Sequence, residues 1–207
     1  MDAKIRLWLL VALMSISAYP YTDCCSCIHY HAQMAFCDSD VAVRARFLGA
    51  TVTDKYSEFT GKYSVITYEI ETLQVLKGGD TIKNLSFIYT STAYYCGYHI
   101  GQQDYNKDYL ITGPMRNGRV EVIRCSYIVA WSTLTEAQIE GVERAYSCHC
   151  RICFQWDCYG ESRNYCILDG TNPWDIHPDA EEIGTELYDQ MCEHNVNGEC
   201  TWQPVYA

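Results

Sequence analysis

The stretch Cys24-Cys25-Ser26-Cys27 contains the residues whose types and spacing best suit chemistry. It follows a basic start and an apolar core from Leu7 to about Ala18, a pattern that predicts a secretory leader over residues 1–24. Cleavage after Cys24 would give Cys25 a free α-amino group beside two disulfide anchors. An amine has a lone pair, and a disulfide can hold that lone pair still. This combination predicts a group that can bind a metal ion belonging to another protein.

The position of the cleavage decides whether that amine exists. The leader pattern also permits cleavage after Ala18, which would leave Tyr19–Cys24 as an extension and place the nitrogen of Cys25 in a peptide bond. Cleavage after Cys24 is favoured because it leaves twelve of the thirteen cysteines, an even number. So many cysteines indicate an oxidising compartment, and we therefore expect a secreted, extracellular protein.

Composition excludes some classes of function. The formal net charge of −11 disfavours nucleic acid binding, which needs a basic surface. The apolar core of the leader is too short for a membrane span, and no later apolar run is long enough. Asn84-Leu85-Ser86 is an N-glycosylation sequon, plausible in a secreted protein, with a chance tripeptide as the alternative.

The mature cysteines form two groups of six, which suggests two disulfide modules with a boundary near His149. We therefore predict a domain over residues 25–148 and a smaller subdomain over residues 149–207. The core of the second module is small, so disulfides must supply much of its stability. The first group is widely spaced and the second is crowded: Cys25, Cys27, Cys37, Cys96, Cys125 and Cys148, then Cys150, Cys153, Cys158, Cys166, Cys192 and Cys200.

The first module is predicted to be mainly β. Met115-Arg116-Asn117-Gly118 is predicted to be a turn, since the pair Asn-Gly readily adopts positive φ. Five strands separated by turn signals suit a small closed barrel. Alternating apolar residues predict the strands at Val41–Phe47, Ile66 to about Leu76, Leu85–Tyr89, Tyr109–Thr112 and Val120–Cys125.

A few helices are predicted as well. Thr135-Glu136-Ala137-Gln138 is a capping box that begins one helix. A short helix is expected after His31, carrying Phe36 and Cys37. A third is expected over Ala180–His194, with its apolar residues at Ile183, Leu187 and Met191.

The segment Cys25-Ser26-Cys27-Ile28-His29-Tyr30-His31-Ala32-Gln33-Met34-Ala35-Phe36-Cys37 resembles the N-terminus of the tissue inhibitors of metalloproteinases. The likeness continues through residues 38–40, 43–45, 96–98, 109–113 and 125–131, and the twelve mature cysteines follow the family's order. The resemblance implies a five-stranded, netrin-like N-terminal barrel of the oligonucleotide/oligosaccharide-binding type. It also implies a small, disulfide-rich C-terminal subdomain. The implied disulfide pairs are Cys25–Cys96, Cys27–Cys125, Cys37–Cys148, Cys150–Cys200, Cys153–Cys158 and Cys166–Cys192.

The resemblance also implies a mechanism. The α-amino and carbonyl groups of Cys25 would chelate the catalytic zinc of a target protease, while the protein has no cofactor of its own. The disulfides of Cys25 and Cys27 would keep this segment rigid, each contributing on the order of 4 kcal/mol in the chain-entropy treatment. Ser26 would enter the protease pocket, with Cys27 and Ile28 following along the cleft. Ala93, Tyr94 and Tyr95 would form a neighbouring ridge, which Gln33 is expected to support by hydrogen bonding.

The expected partners are zinc metalloproteinases of the matrix or related classes, bound one to one by a protein that is monomeric when free. A rival hypothesis is a netrin-like binding module without protease inhibition. Such modules usually lack a compact six-cysteine tail, so Cys150–Cys200 favours the inhibitor. The family commonly has prolines at the positions of His29 and Ala32, so the binding segment is expected to be less rigid here. Tyr94 and Tyr95 are bulkier than the family's usual residues and are expected to change which proteases fit.

Other chemistries are disfavoured. His29 and His31 lie near Cys25 and Cys27 as in a resident metal site, but disulfide-bonded cysteines cannot serve as thiolate ligands. No cysteine would remain free for a Cys–His hydrolase. Asp38 and Asp40 are interpreted as helix-end and turn residues rather than an acid–base pair. We therefore expect a protein that is not an enzyme.

Overall fold

The computed structural model describes residues 27, 31–59, 61–92, 96–154, 157–159, 162–168 and 189–205. Its main element is a seven-stranded sheet with the order β5-β6-β3-β2-β1-β4-β7, which curls into a half-barrel. The chain is therefore mainly β with a few short helices, as predicted. The strands of this sheet are β1 Val41–Ser57, β2 Gly61–Lys77, β3 Phe87–Ser91, β4 Asp108–Gly113, β5 Met115–Arg116, β6 Arg119–Glu121 and β7 Ile128–Ala130.

A long antiparallel hairpin of β1 and β2 forms the centre of the sheet. Its register runs from Ala42 opposite Lys77 to Ser57 opposite Gly61. Both strands have 17 residues and extend well beyond the predicted limits. In β1, residues 50–56 are exposed on both faces of the sheet, so hydrophobic alternation stops there while the backbone pairing with β2 continues.

The core lies on the inner face of the curled sheet. Phe47 is its centre, with ring centroids 5.3 Å from Tyr68, 5.4 Å from Tyr109 and 6.0 Å from Tyr98. The Tyr68 hydroxyl donates to the backbone oxygen of Tyr98 at 3.0 Å, so the ring cluster also satisfies its polar atom. Most of the other core residues are aliphatic residues of the strands: Val41, Val43, Ala45, Ile66, Ile70, Ile88, Ile111 and Val120.

The turn predicted over Met115-Arg116-Asn117-Gly118 is confirmed for its last two residues, whereas Met115 and Arg116 form strand β5. Asn117 and Gly118 both have positive φ, 51° and 74°, and they join β5 to β6. The fifth predicted strand is shorter than expected, because β6 ends at Glu121. Asp40 lies in a bend before β1, and its Oδ2 accepts from the Met115 nitrogen of β5 at 2.7 Å.

The two helices predicted within the first module are confirmed. Helix α1 spans Ala32–Asp38, and helix α2 spans Glu136–Glu140 and continues as a π-helical turn over Gly141–Ala145. The capping box of α2 is complete, with the Gln138 nitrogen donating to Thr135 Oγ1 at 3.1 Å and the Thr135 nitrogen donating to Gln138 Oε1 at 3.0 Å. Short 3₁₀ turns lie at Gly79–Ile82, Gln102–Asp104, Trp131–Thr133 and Ser162–Asn164.

The C-terminal region contains two small ladders. Strands β8 Arg151–Phe154 and β9 Tyr165–Leu168 are parallel, and β10 Gln190–His194 and β11 Cys200–Pro204 are antiparallel. The helix predicted over Ala180–His194 is therefore wrong for its last five residues, and residues 180–188 of it lie outside the described part. Pairing with β11, together with the Cys166–Cys192 disulfide, outweighs the weak helical pattern.

The two cysteine groups share buried contacts. One apolar cluster combines Ala32 and Phe36 of α1 with Leu110 of β4, Tyr146 after the π-helical turn, and Val205 near the C-terminus. Helix α1 thus packs against both the sheet and the C-terminal region. None of the helices in the described ranges is long and apolar enough to cross a membrane.

Candidate functional site

Of the residues predicted to contact the protease, together with the cysteines that attach them to the domain, the structure describes only three of the cysteines. Cys27 is described, and so are Cys96 and Cys125. The remaining residues of the predicted edge lie outside the described part of the chain: Cys25, Ser26, Ile28, Ala93, Tyr94 and Tyr95.

The anchors of both predicted segments meet at one short stretch of chain. Cys27 forms a disulfide with Cys125, with the two Cα atoms 5.0 Å apart. One residue earlier, the Arg124 nitrogen donates to the Cys96 oxygen at 2.8 Å, and Gly97 forms a bridge with Ile123. Cys96 is itself disulfide-bonded. Residues 123–125 therefore hold the end of one predicted segment beside the end of the other.

This stretch is itself fixed by local hydrogen bonds. The Ser126 nitrogen donates to the Ile123 oxygen at 2.9 Å, and the Ile123 nitrogen donates to Ser126 Oγ at 3.0 Å. The Thr112 nitrogen donates to the Tyr127 oxygen at 3.1 Å, which attaches the stretch to β4. The anchor points are thus held by the sheet rather than by a free loop.

Helix α1 begins at a buried histidine. His31 is the N-cap, and its Nδ1 accepts from the Gln33 nitrogen at 3.2 Å. The residue is only 2% exposed, and its ring centroid lies 5.3 Å from that of Trp202. His31 is therefore a satisfied structural histidine.

The other end of α1 is held by a lysine from the sheet. Lys77 Nζ donates to the backbone oxygens of Phe36 and Cys37, both at 2.8 Å. A cation at these carbonyls satisfies acceptors that the helix leaves open and favours the negative end of its dipole. Partial burial lowers the pKa of Lys77. The Cys37–Cys148 disulfide adds a covalent tie at the same end, with Cα atoms 5.4 Å apart.

Gln33 has a different role from the one expected. Its amide nitrogen donates to the oxygens of Ser147 at 2.9 Å and Cys192 at 2.8 Å, and its Oε1 accepts from the Cys192 nitrogen at 2.7 Å. Both amide protons are therefore used, so Gln33 connects α1 to β10 rather than donating to the ridge at residues 93–95. We call this set of three hydrogen bonds the Gln33 clamp. In the sequence, this role is indicated by a polar glutamine at a position where a short helix has buried residues.

One group of possible metal ligands exists in the described ranges, formed by Cys150, His194 and Cys200. Cys150 and Cys200 form a disulfide, and a disulfide sulfur is not the thiolate that zinc prefers. The donor chemistry therefore does not fit a resident metal. The structure contains the pairs Cys27–Cys125, Cys37–Cys148, Cys150–Cys200, Cys153–Cys158 and Cys166–Cys192, which the resemblance implies.

Comparison with known proteins identifies the family of the chain. The family described as "Tissue inhibitor of metalloproteinase" matches residues 23–202, which include both cysteine groups and both predicted binding segments. The chain belongs to this family. The tissue inhibitors of metalloproteinases are inhibitors rather than enzymes.

Individual relatives agree along nearly the whole chain. "Metalloproteinase inhibitor 2" of Canis lupus familiaris is 31% identical over 207 residues, covering 96% of this chain and 90% of the relative. "Metalloproteinase inhibitor 3" of Scyliorhinus torazame is 29% identical and covers 94% and 87%. "Metalloproteinase inhibitor 3" of Gallus gallus is 28% identical and covers 89% and 84%. The likeness to tissue inhibitors thus includes the C-terminal region as well as the sheet.

Proposed function

We propose that the mature protein is a secreted inhibitor of zinc metalloproteinases of the matrix or related classes. In this proposal the leader is removed after Cys24, and the α-amino and carbonyl groups of Cys25 chelate the catalytic zinc of the target. Family membership supports the inhibitory function. The observation that carries the mechanism is the attachment of Cys27 and Cys96 to the single stretch 123–125.

The chemistry of the amine suits this role. A catalytic zinc site keeps one position open for water and accepts nitrogen and oxygen ligands. The pKa of an α-amino group is about 7.7 to 8.0, so a substantial fraction is neutral near pH 7, and metal binding favours that form. The nitrogen and the carbonyl oxygen of Cys25 together close a five-membered chelate ring. Zinc-bound water would then be displaced and hydrolysis would stop.

Rigidity makes the chelation favourable, because ordering a flexible segment on binding costs free energy. The Cys27–Cys125 disulfide spans 98 positions, which corresponds to about 4.7 kcal/mol of loop-closure entropy in the chain-entropy treatment. The Arg124–Cys96 hydrogen bond holds the second segment next to the first. Both segments would thus be largely ordered before the protease arrives.

The remaining residues would determine selectivity. Ser26 enters the pocket beside the zinc, and Ile28 follows further along the cleft. Ala93, Tyr94 and Tyr95 contact the protease beside them. We place the inhibitory domain at residues 25–148 and the disulfide-rich subdomain at residues 149–207. The complex contains one inhibitor for each protease.

The decisive experiment adds one alanine before Cys25 in the mature protein. The added residue converts the α-amino group into an amide, which has no lone pair to offer zinc. We expect inhibition of a matrix metalloproteinase to be lost, while the circular dichroism spectrum and the thermal midpoint stay unchanged. N-terminal sequencing of the secreted wild-type protein provides the control, and it should begin at Cys25. Equal inhibition by the extended protein would refute chelation by Cys25.

A further inference from the structure

The hairpin of β5 and β6 places two arginines directly opposite each other. Arg116 pairs with Arg119 across the two-residue turn at Asn117 and Gly118. The Cβ atoms of such a pair lie about 5 Å apart, and like charges at this position destabilise a hairpin. Both arginines are exposed, and in the described ranges neither forms an ion pair with a carboxylate. No acidic side chain there neutralises the two charges.

Other cations of the described part of the chain lie beside carboxylates. Seven of them form ion pairs: Arg44, Arg46, Lys62, Lys83, Lys107, Arg144 and Arg151. The whole chain has a net charge of −11, so acidic side chains are abundant. Two adjacent arginines without such a partner therefore favour an anion that comes from another molecule.

Both arginines border a groove of about 400 Å³ on the outer face of the sheet. Ile88 and Val120 are partners in the core, so Tyr89 and Arg119, which follow and precede them, lie on the solvent side. The same register places Arg119 level with Phe87. Its guanidinium carbon nevertheless lies 4.9 Å from the centroid of the Tyr89 ring. The Arg119 side chain thus extends along the groove, and the ring holds the cation without neutralising it.

Beyond Tyr89 the groove has an apolar surface. Val65 and Ile123 border it there, and Ile123 is 50% exposed. Val65 lies opposite Ser91, two residues after Tyr89, so it is about 7 Å further along the strands. This distance accommodates one aromatic ring between the cations and the apolar residues. The groove therefore suits an occupant that has a ring at one end and an oxyanion at the other.

The charges beside the ring indicate how many negative charges the occupant carries. Glu121 borders the groove too, directly opposite Tyr89. Two guanidinium groups and one carboxylate leave one net positive charge, which a singly charged oxyanion matches. Guanidinium groups bind such anions through parallel N–H donors. A phosphate ester carries about −1.5 to −2 at pH 7 and would add repulsion from Glu121, whereas a sulfate ester carries a single charge.

We infer that this groove binds a sulfated tyrosine of a partner protein. The sulfate oxygens accept hydrogen bonds from Arg116 and Arg119, and the tyrosine ring lies beside Tyr89 with its apolar edge toward Val65 and Ile123. The bound sulfate also relieves the repulsion between the two arginines. None of these residues belongs to the proposed zinc-binding segment, so a protein that inhibited no protease would still present this groove.

The test uses the mature protein with its disulfides intact and the peptide Gly-Ala-Tyr-Ala-Gly-amide, whose tyrosine carries a sulfate ester and whose N-terminus carries a neutral fluorophore. We expect saturable binding by fluorescence anisotropy, and about tenfold weaker binding of the unsulfated peptide. Arg116→Gln and Arg119→Gln should each weaken binding of the sulfated peptide by about five- to tenfold. The peptide with a phosphate ester should bind no more tightly than the sulfated one.

The matched control is Lys55→Gln, because Lys55 is an exposed cation at the far end of the same groove. It lies three strands away from Arg119 and six residues further along, about 24 Å between Cα atoms. Its loss should change binding by less than about twofold at 150 mM salt. Thermal unfolding provides a second readout, since Arg116→Gln removes like-charge repulsion and should unfold at or slightly above the wild-type temperature.

Several results would overturn the inference. They are absence of saturable binding, equal binding of the unsulfated peptide, tighter binding of the phosphate peptide, and a loss in Lys55→Gln as large as that in Arg119→Gln. Tighter binding of a heparin hexasaccharide than of the sulfated peptide, with the same dependence on Arg119, would assign the groove to a polysaccharide and overturn it too.

Discussion

The Gln33 clamp offers a sharp test of how the two cysteine groups are held together. Gln33→Met keeps the length of the side chain and removes all three hydrogen bonds to Ser147 and Cys192. These bonds measure 2.9, 2.8 and 2.7 Å, and Gln33 is 1% exposed. A neutral hydrogen bond contributes about 1 kcal/mol net, so we expect a loss of about 3 kcal/mol in the free energy of unfolding. For a chain of this size the thermal midpoint should fall by about 6 to 12 °C.

The assay is thermal and urea unfolding of the mature protein with its disulfides intact. Hydrogen exchange adds a local readout, because the Cys192 amide proton loses its acceptor and should exchange faster in the variant. Gln102→Met is the matched control, since Gln102 is exposed on a short 3₁₀ turn. It should leave both measurements unchanged. A change below about 0.5 kcal/mol in Gln33→Met, with unaltered exchange at Cys192, would refute the assigned role of the clamp.

Three further outcomes are expected. Asp108 accepts from Arg44 and Arg46, and the hydrogen bond from Arg44 is the largest cause that holds the pKa of this carboxyl below its usual range. The stabilisation from these ion pairs is therefore present above about pH 4 and is lost as the pH falls through the lowered pKa of Asp108. Asp108→Asn should lower the free energy of unfolding in urea by about 1 kcal/mol at pH 7, and by less near pH 3. Ser26→Gly should weaken inhibition unequally across a panel of metalloproteinases, and uniform affinities would count against its entry into the pocket. Asn84 is exposed in a turn, and Asn84→Gln should reduce the mass of the secreted protein by one glycan; equal masses would contradict glycosylation at this site.

Hydrophobic alternation predicted the inner parts of the strands well, because burial on one face leaves a period of two in the sequence. It could not predict the outer half of the β1–β2 hairpin, where residues 50–56 are exposed on both faces. There the strands continue through backbone pairing, which any side chain permits. The capping box at Thr135–Gln138 and the turn at Asn117-Gly118 could be predicted because each depends only on residues that are neighbours in the sequence.

The errors arise where the determining contact is distant. Gln33 lies 114 and 159 positions from its partners, so no local pattern could reveal what its amide binds. In Gln190–His194 the apolar spacing was too short to separate a helix from a strand, and pairing with Cys200–Pro204 decided the outcome.

The length of helix α1 has a consequence for how the protein is made. Seven residues are too few for a helix that is stable by itself, so α1 depends on Lys77, Cys148 and the Gln33 clamp. The last of these partners, Cys192, leaves the ribosome 159 residues after Gln33. Helix α1 is therefore among the first parts of the chain to be synthesised and among the last to complete its contacts. A nascent chain that stops short of β10 would carry the N-terminal cysteines without the full support of the helix that follows them.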